Sequence, residues 1–512
     1  MTAPTASTPR TTAVLLLLDL PRYLSRHDGA ELTRALNELA GSPELSTTGP
    51  RWWSAFDEHA RHVGRLRLDA TSPEAPQGLH PGWEWALAVC AADGRTRQRA
   101  LAAEALPLGE HPLLPLLVVR CSDWAEPVRA TARAALVQVL AHSGPAELAR
   151  AAAMAWSCEE RQRGEDAVRL VADHLTEAPP ELWQRLFTDP DHRIRRRALS
   201  AAIALDRCDT PRLLRLATRD PDAVVARSAA EHLLGSLVPP GAAAPVTPGA
   251  EAVLRRLLAS RASAVRAVTV TVLRRARRPD LAEPFTADRS RQVREIARWV
   301  LRSHGQDPAA VCRARLARPG AEITPGAIAG LAECGDAGPA DAADLLRPHL
   351  THRRPAVRAA VLQALGTMRP PAVTTAELLT VMERDPASRV LRAAGPLVEA
   401  AASSVPRRRL EDLLAPGRPA PLRAQAARII RATGTWERLE IDLRLLHDAD
   451  PELAAAARCD IQAWGRSAST RYARPTDGRR QVFLALLPAA ATVLDDWDLR
   501  PIRSLLDRPG TR

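Results

Sequence analysis

The sequence predicts an all-α fold, a right-handed α-solenoid (superhelix) of about twelve stacked two-helix repeats, and three observations point to it. First, one short phrase recurs between Thr96 and Leu453: an Asp, a Val or Ile five residues on, and an Ala four residues after that. The clearest copies are Asp123/Val128/Ala132, Asp189/Ile194/Ala198, Asp220/Val225/Ala229, Asp288/Val293/Ala297 and Asp385/Val390/Ala394. The Val-type positions fall at 96, 128, 168, 194, 225, 265, 293, 328, 357, 390, 422 and 453, a mean spacing of about 32 residues. Second, Val, Ala and another apolar residue recur at offsets 0, +4 and +8, as in Val128/Ala132/Leu136 and Leu453/Ala457/Ile461. At about 100° per residue these share one narrow stripe, so the phrase marks a helix with a single buried face. Third, aromatics make up 3% of the chain and Ala and Leu dominate. Strand-type alternation is hard to find, and the 43 Pro fall mostly at helix starts and in turns, where a missing N–H costs little.

Taken in order, residues 1–80 form an N-terminal helical cap region. Its apolar run Ala13–Leu18 is stopped by Asp19 and Pro21, too short for a signal-peptide core or a bilayer span. A helix at Gly29–Leu39, a turn-rich stretch Gly41–Pro50, Trp52-Trp53 and the charged run Asp57–Asp69 follow. The array occupies 81–465, with Trp83 and Trp85 flanking Glu84 at its start to cover an apolar end. Most units carry a shorter apolar helix first, such as Pro211–Thr218, Ala250–Ala259, Thr375–Glu383 and Trp436–His447. The Asp of the phrase, often followed by Pro, suits an N-cap or pre-cap turn before the second helix. The positions 96, 168 and 328 lack that Asp. A 40-residue gap between 225 and 265 is filled by a Pro/Ala/Gly loop at 236–250. Residues 466–512 supply C-terminal cap helices: Arg466–Gly478 is polar, a last helix follows from Arg479, and the apolar stretch Val482–Leu494 is broken by Pro488.

The net charge of +12 comes entirely from arginine, since none of the 71 basic residues is lysine. With 11 Trp beside 2 Tyr and 4 Phe and abundant Ala, Pro and Gly, this is the product of a GC-rich coding sequence. Where the charge sits is more telling. Residues 1–250 have a net of −2, whereas 251–320 carry 16 Arg against 6 acids, a net of +10. The seven cysteines are scattered, odd in number and never form a CxxC, so they read as small apolar residues in a reducing cytosol and imply neither a disulfide framework nor a zinc site. The expectation is a soluble, cytoplasmic protein without a cofactor.

The phrase D-x4-[VI]-R-x2-A resembles HEAT repeats, in particular the short kind of bacterial HEAT proteins and bilin-lyase-like proteins, over roughly residues 85–465. In that family the Asp and Arg form a ladder between neighbouring repeats. The resemblance therefore implies that Asp123, Asp189 and Asp288 pair with Arg129, Arg195 and Arg294 of their own or adjacent units, as structural residues.

No P-loop, GxGxxG, GxSxG or HExxH is present. The pairs His59/His62 and His349/His352 have metal-like spacing but lack an obvious third ligand, so they read as exposed polar residues. The function expected is a non-enzymatic scaffold that binds a partner protein along its concave surface. The alternative is a nucleic-acid-binding or DNA-repair protein of the HEAT-like alkylbase glycosylase type, using the basic 251–320 segment. The face opposite the buried stripe lies near offsets +2, +6 and +9, which are Glu295, Trp299 and Arg302 after Val293 and include Arg274 after Val265. Trp299 ringed by Arg274, Arg298 and Arg302, with Arg275, Arg277 and Arg278 beside them, is the candidate binding surface.

Overall fold

The computed structural model describes residues 29–40, 43–67, 78–103, 106–107, 113–241, 246–318, 320, 322–334, 339–368, 370–466 and 475–507. The run at 13–18 and most of the polar stretch 466–478 lie outside the described residues. Among the described residues there are 28 α-helices, four short 3-10 helices and no strand. They divide into two compact units, one within Met1–Leu237 and Ala252–Val265, the other within Val238–Glu251 and Arg266–Arg512.

Each Val-type position lies in the second helix of a helix pair. Pro180–Phe187 is followed by His192–Ala204, Thr210–Arg219 by Ala223–Leu237, and Thr375–Arg384 by Ser388–Glu399. The stripe is buried as its spacing requires: Val128, Ala132, Leu136 and Leu140 all face inward along Glu126–Ala141. Burying each large aliphatic contributes about 1.5–3 kcal/mol, so a pair whose first helix is only two or three turns long still holds. Second helices stack on one another within each unit. In the first, Gly94–Leu101 packs on Glu126–Ala141 and that on Glu165–Leu175. In the second, Pro325–Ala332, Pro355–Thr367, Ser388–Glu399 and Ala420–Thr433 pack in succession. Each unit is thus an α-solenoid stack.

The Asp of the phrase does not cap the helix itself. It stands two residues before the N-cap and folds the turn: the carboxylates of Asp123, Asp189, Asp220, Asp288 and Asp385 accept the N–H two residues on at 2.7–3.0 Å. This short loop of one side chain on its own backbone presets the entry into the second helix.

The ends are sealed by aromatics. Trp53 and Phe56, on the helix Pro50–Arg67, meet Trp83 with ring centroids 6.4 and 5.5 Å apart, all fully buried. At the other end Trp464 and Phe483 are buried with Trp436 against them. Two helices close this end, Asp477–Ala490 and Asp496–Asp507, where the sequence suggested one. Pro488 lies inside the first without breaking it, at the loss of one backbone donor, the one that would meet the Leu484 carbonyl.

Candidate functional site

The arginines following the Val-type positions must be sorted first, because most of them are occupied. Arg195 donates Nη1 to the Asp189 carbonyl of its own turn at 2.8 Å and grips the carboxylate of Asp220, in the next pair, at 3.0 and 3.1 Å. The same two-ended rung joins Arg97 to Asp123 (3.0 and 2.9 Å), Arg266 to Asp288 (2.7 and 2.8 Å), Arg358 to Asp385 (2.6 and 2.9 Å) and Arg423 to Asp448. The rule is that the arginine of one pair reaches forward to the aspartate of the next.

That rule corrects part of the pairing which the resemblance implied. Arg129 takes the carbonyls of Asp123 and Trp124 and pairs with Glu126, because position 163 of the next unit is Arg, not Asp. Arg294 takes the Asp288 carbonyl at 2.8 Å and pairs with Glu333 instead of an Asp. Among the described residues Asp189 has no arginine within ion-pair distance. The buried stripe of the helix Glu165–Leu175 runs through Ala167, Val171 and Leu175, one residue earlier than the phrase places it, so Val168 takes the rung position and Arg169 pairs with Asp166 at 3.1 Å on the surface.

The Trp299 surface lies in the second unit. Trp299 is 43% exposed on the helix Arg291–Ser303, and the Arg274 guanidinium carbon sits 4.9 Å from its ring centroid. Stacking of this kind sets the guanidinium charge against the negative π face of the indole. Arg275, Arg277 and Arg302 are exposed and, among the described residues, have no acid within ion-pair distance. Arg277 adopts φ +52°, in the left-handed region, directly after the helix Ser263–Arg275. There the Arg278 N–H closes on the Leu273 carbonyl at 3.0 Å and the helix ends, a position that glycine takes at lower cost.

Two residues of the expected ring do not belong to it. Arg298 is only 6% exposed and donates to Glu333 at 2.7 Å. It stands one turn beyond the rung residue Arg294, so both face Glu333, while Trp299 lies about 100° further around the helix. Arg278 is held by Asp280 at 2.7 Å and by Glu251.

The other candidate residues resolve simply. His349 and His352 have ring centroids 6.3 Å apart, and burial, then the neighbouring ring, pushes His349 below its usual pKa. His59 is bound to the Ala55 carbonyl at 2.8 Å, and the His62 side chain lies outside the described residues. Among the described residues no cluster of three His, Cys, Asp or Glu could hold a metal, and no helix is long and apolar enough to cross a membrane.

A buried charge network went unforeseen. Arg120 lies fully enclosed between Asp57 and Asp123, with Nη1 to Asp123 at 2.8 Å, and Arg97 reaches the same carboxylate. Asp57 and Arg120 are 63 residues apart, and neither fits the repeat phrase. Two further tryptophans are strongly exposed, Trp124 and Trp497, and like Trp299 each carries an arginine over its ring.

Residues 313–396 match the family model described as HEAT repeats, a span that takes in three successive helix pairs. No curated protein matches significantly. Among solved structures, the chain is similar to the karyopherin Kap121p bound to the SUMO protease Ulp1p, at 14% identity and TM-score 0.35, covering 83% of this chain and 52% of that one. Kap121p bound to Pho4p matches at 13% and 0.26, covering 98% and 54%, and importin beta in an ammonium sulfate condition at 13% and 0.25, covering 96% and 84%. The chain spans about half the length of the Kap121p chains. The family match falls on helix pairs whose turn, stripe and forward rung recur in both units, so residues 313–396 are HEAT repeats set among pairs built in the same way.

Proposed function

We propose that this protein is a non-enzymatic scaffold that binds a partner protein, and that the surface around Trp299 is one place where the partner docks. The observation that carries the reading is an exposed tryptophan with the Arg274 guanidinium 4.9 Å from its ring, beside Arg275, Arg277 and Arg302, which have no acidic partners among the described residues. A rigid aromatic with arginines around it is the residue mix that dominates binding energy in protein interfaces. The rungs favour a protein over nucleic acid as the occupant. Arg266, Arg278, Arg294 and Arg298 are spent on Asp288, Asp280, Glu251 and Glu333, so the segment offers far less free charge than its net of +10 implies. Exposed Glu295 also stands one turn before Trp299, where it repels a phosphate backbone.

The test is retention from a lysate of the source organism by the wild-type chain and by Trp299→Ala. The reading expects one or more proteins retained by the first and lost by the second, with an affinity loss of about 2 kcal/mol or more. An identical set of proteins on both overturns it. So does retained material that nuclease removes and that weakens steeply with salt, which returns the segment to nucleic-acid binding.

A further inference from the structure

In the first unit a cavity of about 460 Å³ opens between the helices Pro180–Phe187 and Thr210–Arg219 and the turns that follow them. Its walls differ in kind. Phe187, Leu216, Pro190 and Pro221 supply an apolar floor. Arg212, Arg215 and Arg219 form the positive wall. Spaced by three and four, they share one stripe of the helix over about 10 Å of its axis. Arg212 is steadied over the Phe187 ring at 5.5 Å, and Arg215 and Arg219 are exposed. None of the three has a carboxylate within ion-pair distance among the described residues, whereas Arg195, which lines the same cavity, is spent on Asp220.

The acids at the remaining wall are not equivalent. Asp220 is neutralised by the Arg195 rung. Asp189 is the turn aspartate without an arginine, and its described hydrogen bond is from the Asp191 N–H at 2.8 Å. An occupant must therefore carry negative charge spread along about 10 Å, an apolar group for the floor, and a hydrogen-bond donor for Asp189.

We propose that this cavity binds an acidic linear peptide segment of a partner protein, with one apolar side chain on the Phe187–Leu216 floor and carboxylates on Arg212, Arg215 and Arg219. The peptide backbone then supplies the N–H that Asp189 accepts. A polynucleotide meets the arginines equally well but offers Asp189 a phosphate, a like charge at close range, so Asp189 selects against it. The volume suits two or three side chains of an extended segment and is far too small for a docked helix. The site is separate from the Trp299 surface and does not depend on it.

The experiment is fluorescence anisotropy on the full chain with three labelled probes: an eight-residue Glu/Asp peptide containing one Leu, the same peptide with Gln and Asn for its acids, and an oligothymidylate of equal length. The proteins are wild type, Arg215→Glu/Arg219→Glu and Trp299→Ala; Arg215 and Arg219 are exposed and hold no ion pair, so reversing them leaves the fold intact, as circular dichroism will show. The acidic peptide should bind wild type and Trp299→Ala alike. Binding should weaken about ten-fold or more with Arg215→Glu/Arg219→Glu, since two charge-assisted contacts become repulsions. The neutral peptide should not bind. Equal binding to the Arg215→Glu/Arg219→Glu protein, no saturable binding of the acidic peptide up to millimolar concentration, or tighter binding of the oligothymidylate through the same arginines each overturns the proposal. Loss confined to Trp299→Ala overturns it too, while leaving the Trp299 reading in place.

Discussion

The turn at Asp123 and the turn at Asp189 are built from the same phrase and fold the same way, yet their carboxylates live in opposite electrostatic settings. Burial pushes Asp123 up, but hydrogen bonds from Arg97 and Ala125 and the charges of Arg120 and Arg97 outweigh it and hold the carboxyl below its usual range. Burial pushes Asp189 up as well, and there only the Asp191 N–H and a more distant Arg195 oppose it, while the Asp191 charge adds to the rise. The local turn needs only the aspartate. What that aspartate does in the assembled unit depends on whether the preceding pair sends an arginine to it.

The largest effect follows from breaking the occupied turn. Arg120→Ala removes the arginine shared by Asp57 and Asp123 and leaves the two carboxylates facing each other, with only the part-exposed Arg61 on the first and Arg97 on the second. It should cost about 3–5 kcal/mol, read as a lowered urea midpoint. An unchanged midpoint means that water reaches these acids.

Next come the carboxylates themselves. Asp123→Asn should cost about 2 kcal/mol at neutral pH, and it should flatten the acid limb of the stability profile. The sign follows from the lowered pKa: Asp123 contributes stability above the unfolded carboxylate range, and that contribution is lost as pH falls through its lower folded value. Asp189 runs the other way. Its raised pKa gives a contribution that is complete below the unfolded range and lost as pH rises through the folded value, so Asp189→Asn should gain stability at neutral pH. Parallel pH–stability curves for the two variants would remove the distinction between the turns.

A third carboxylate sharpens the comparison. Asp442 is buried with Arg431 at 2.8 Å, but burial and a shared hydrogen bond with Asp460, itself held by Arg438, push it up to about 8. Stability should therefore fall as pH rises from the unfolded carboxylate range to about 8 and level off above it, and Asp442→Asn should abolish that loss in thermal melts at pH 5 and 8. The smallest effect belongs to Arg169→Ala. Its exposed pair with Asp166 does not reach Asp189, so the midpoint should stay within about 0.5 kcal/mol of wild type. A larger loss means that Arg169 does serve the Asp189 turn.

Much of this was legible in the sequence. The positions from 96 to 453 that carry Val, Ile or their substitutes all fall in second helices, because a stripe of period 3.6 is a local signal, sharpened in several units by an Asp turn before it. Trp299 could be placed opposite the buried stripe by the same arithmetic. Arg298 could not be set apart from it, because whether a flank residue meets solvent or the next pair is decided by Glu333, 35 residues away. The cavity of the first unit has its own trace in the sequence: Arg212, Arg215 and Arg219 share a helical stripe with no acid between them.

By itself, then, the sequence determined the helix pairs, their order and the face each one buries, since these follow from hydrophobic period, proline and turn chemistry within some thirty residues. Only the tertiary structure decided which arginines are rungs and which are free. That choice depends on the offset between one pair and the next, and a guanidinium brought within 3 Å of a desolvated carboxylate is fixed there, while one an ångström or two beyond reach stays in water and is available to a partner.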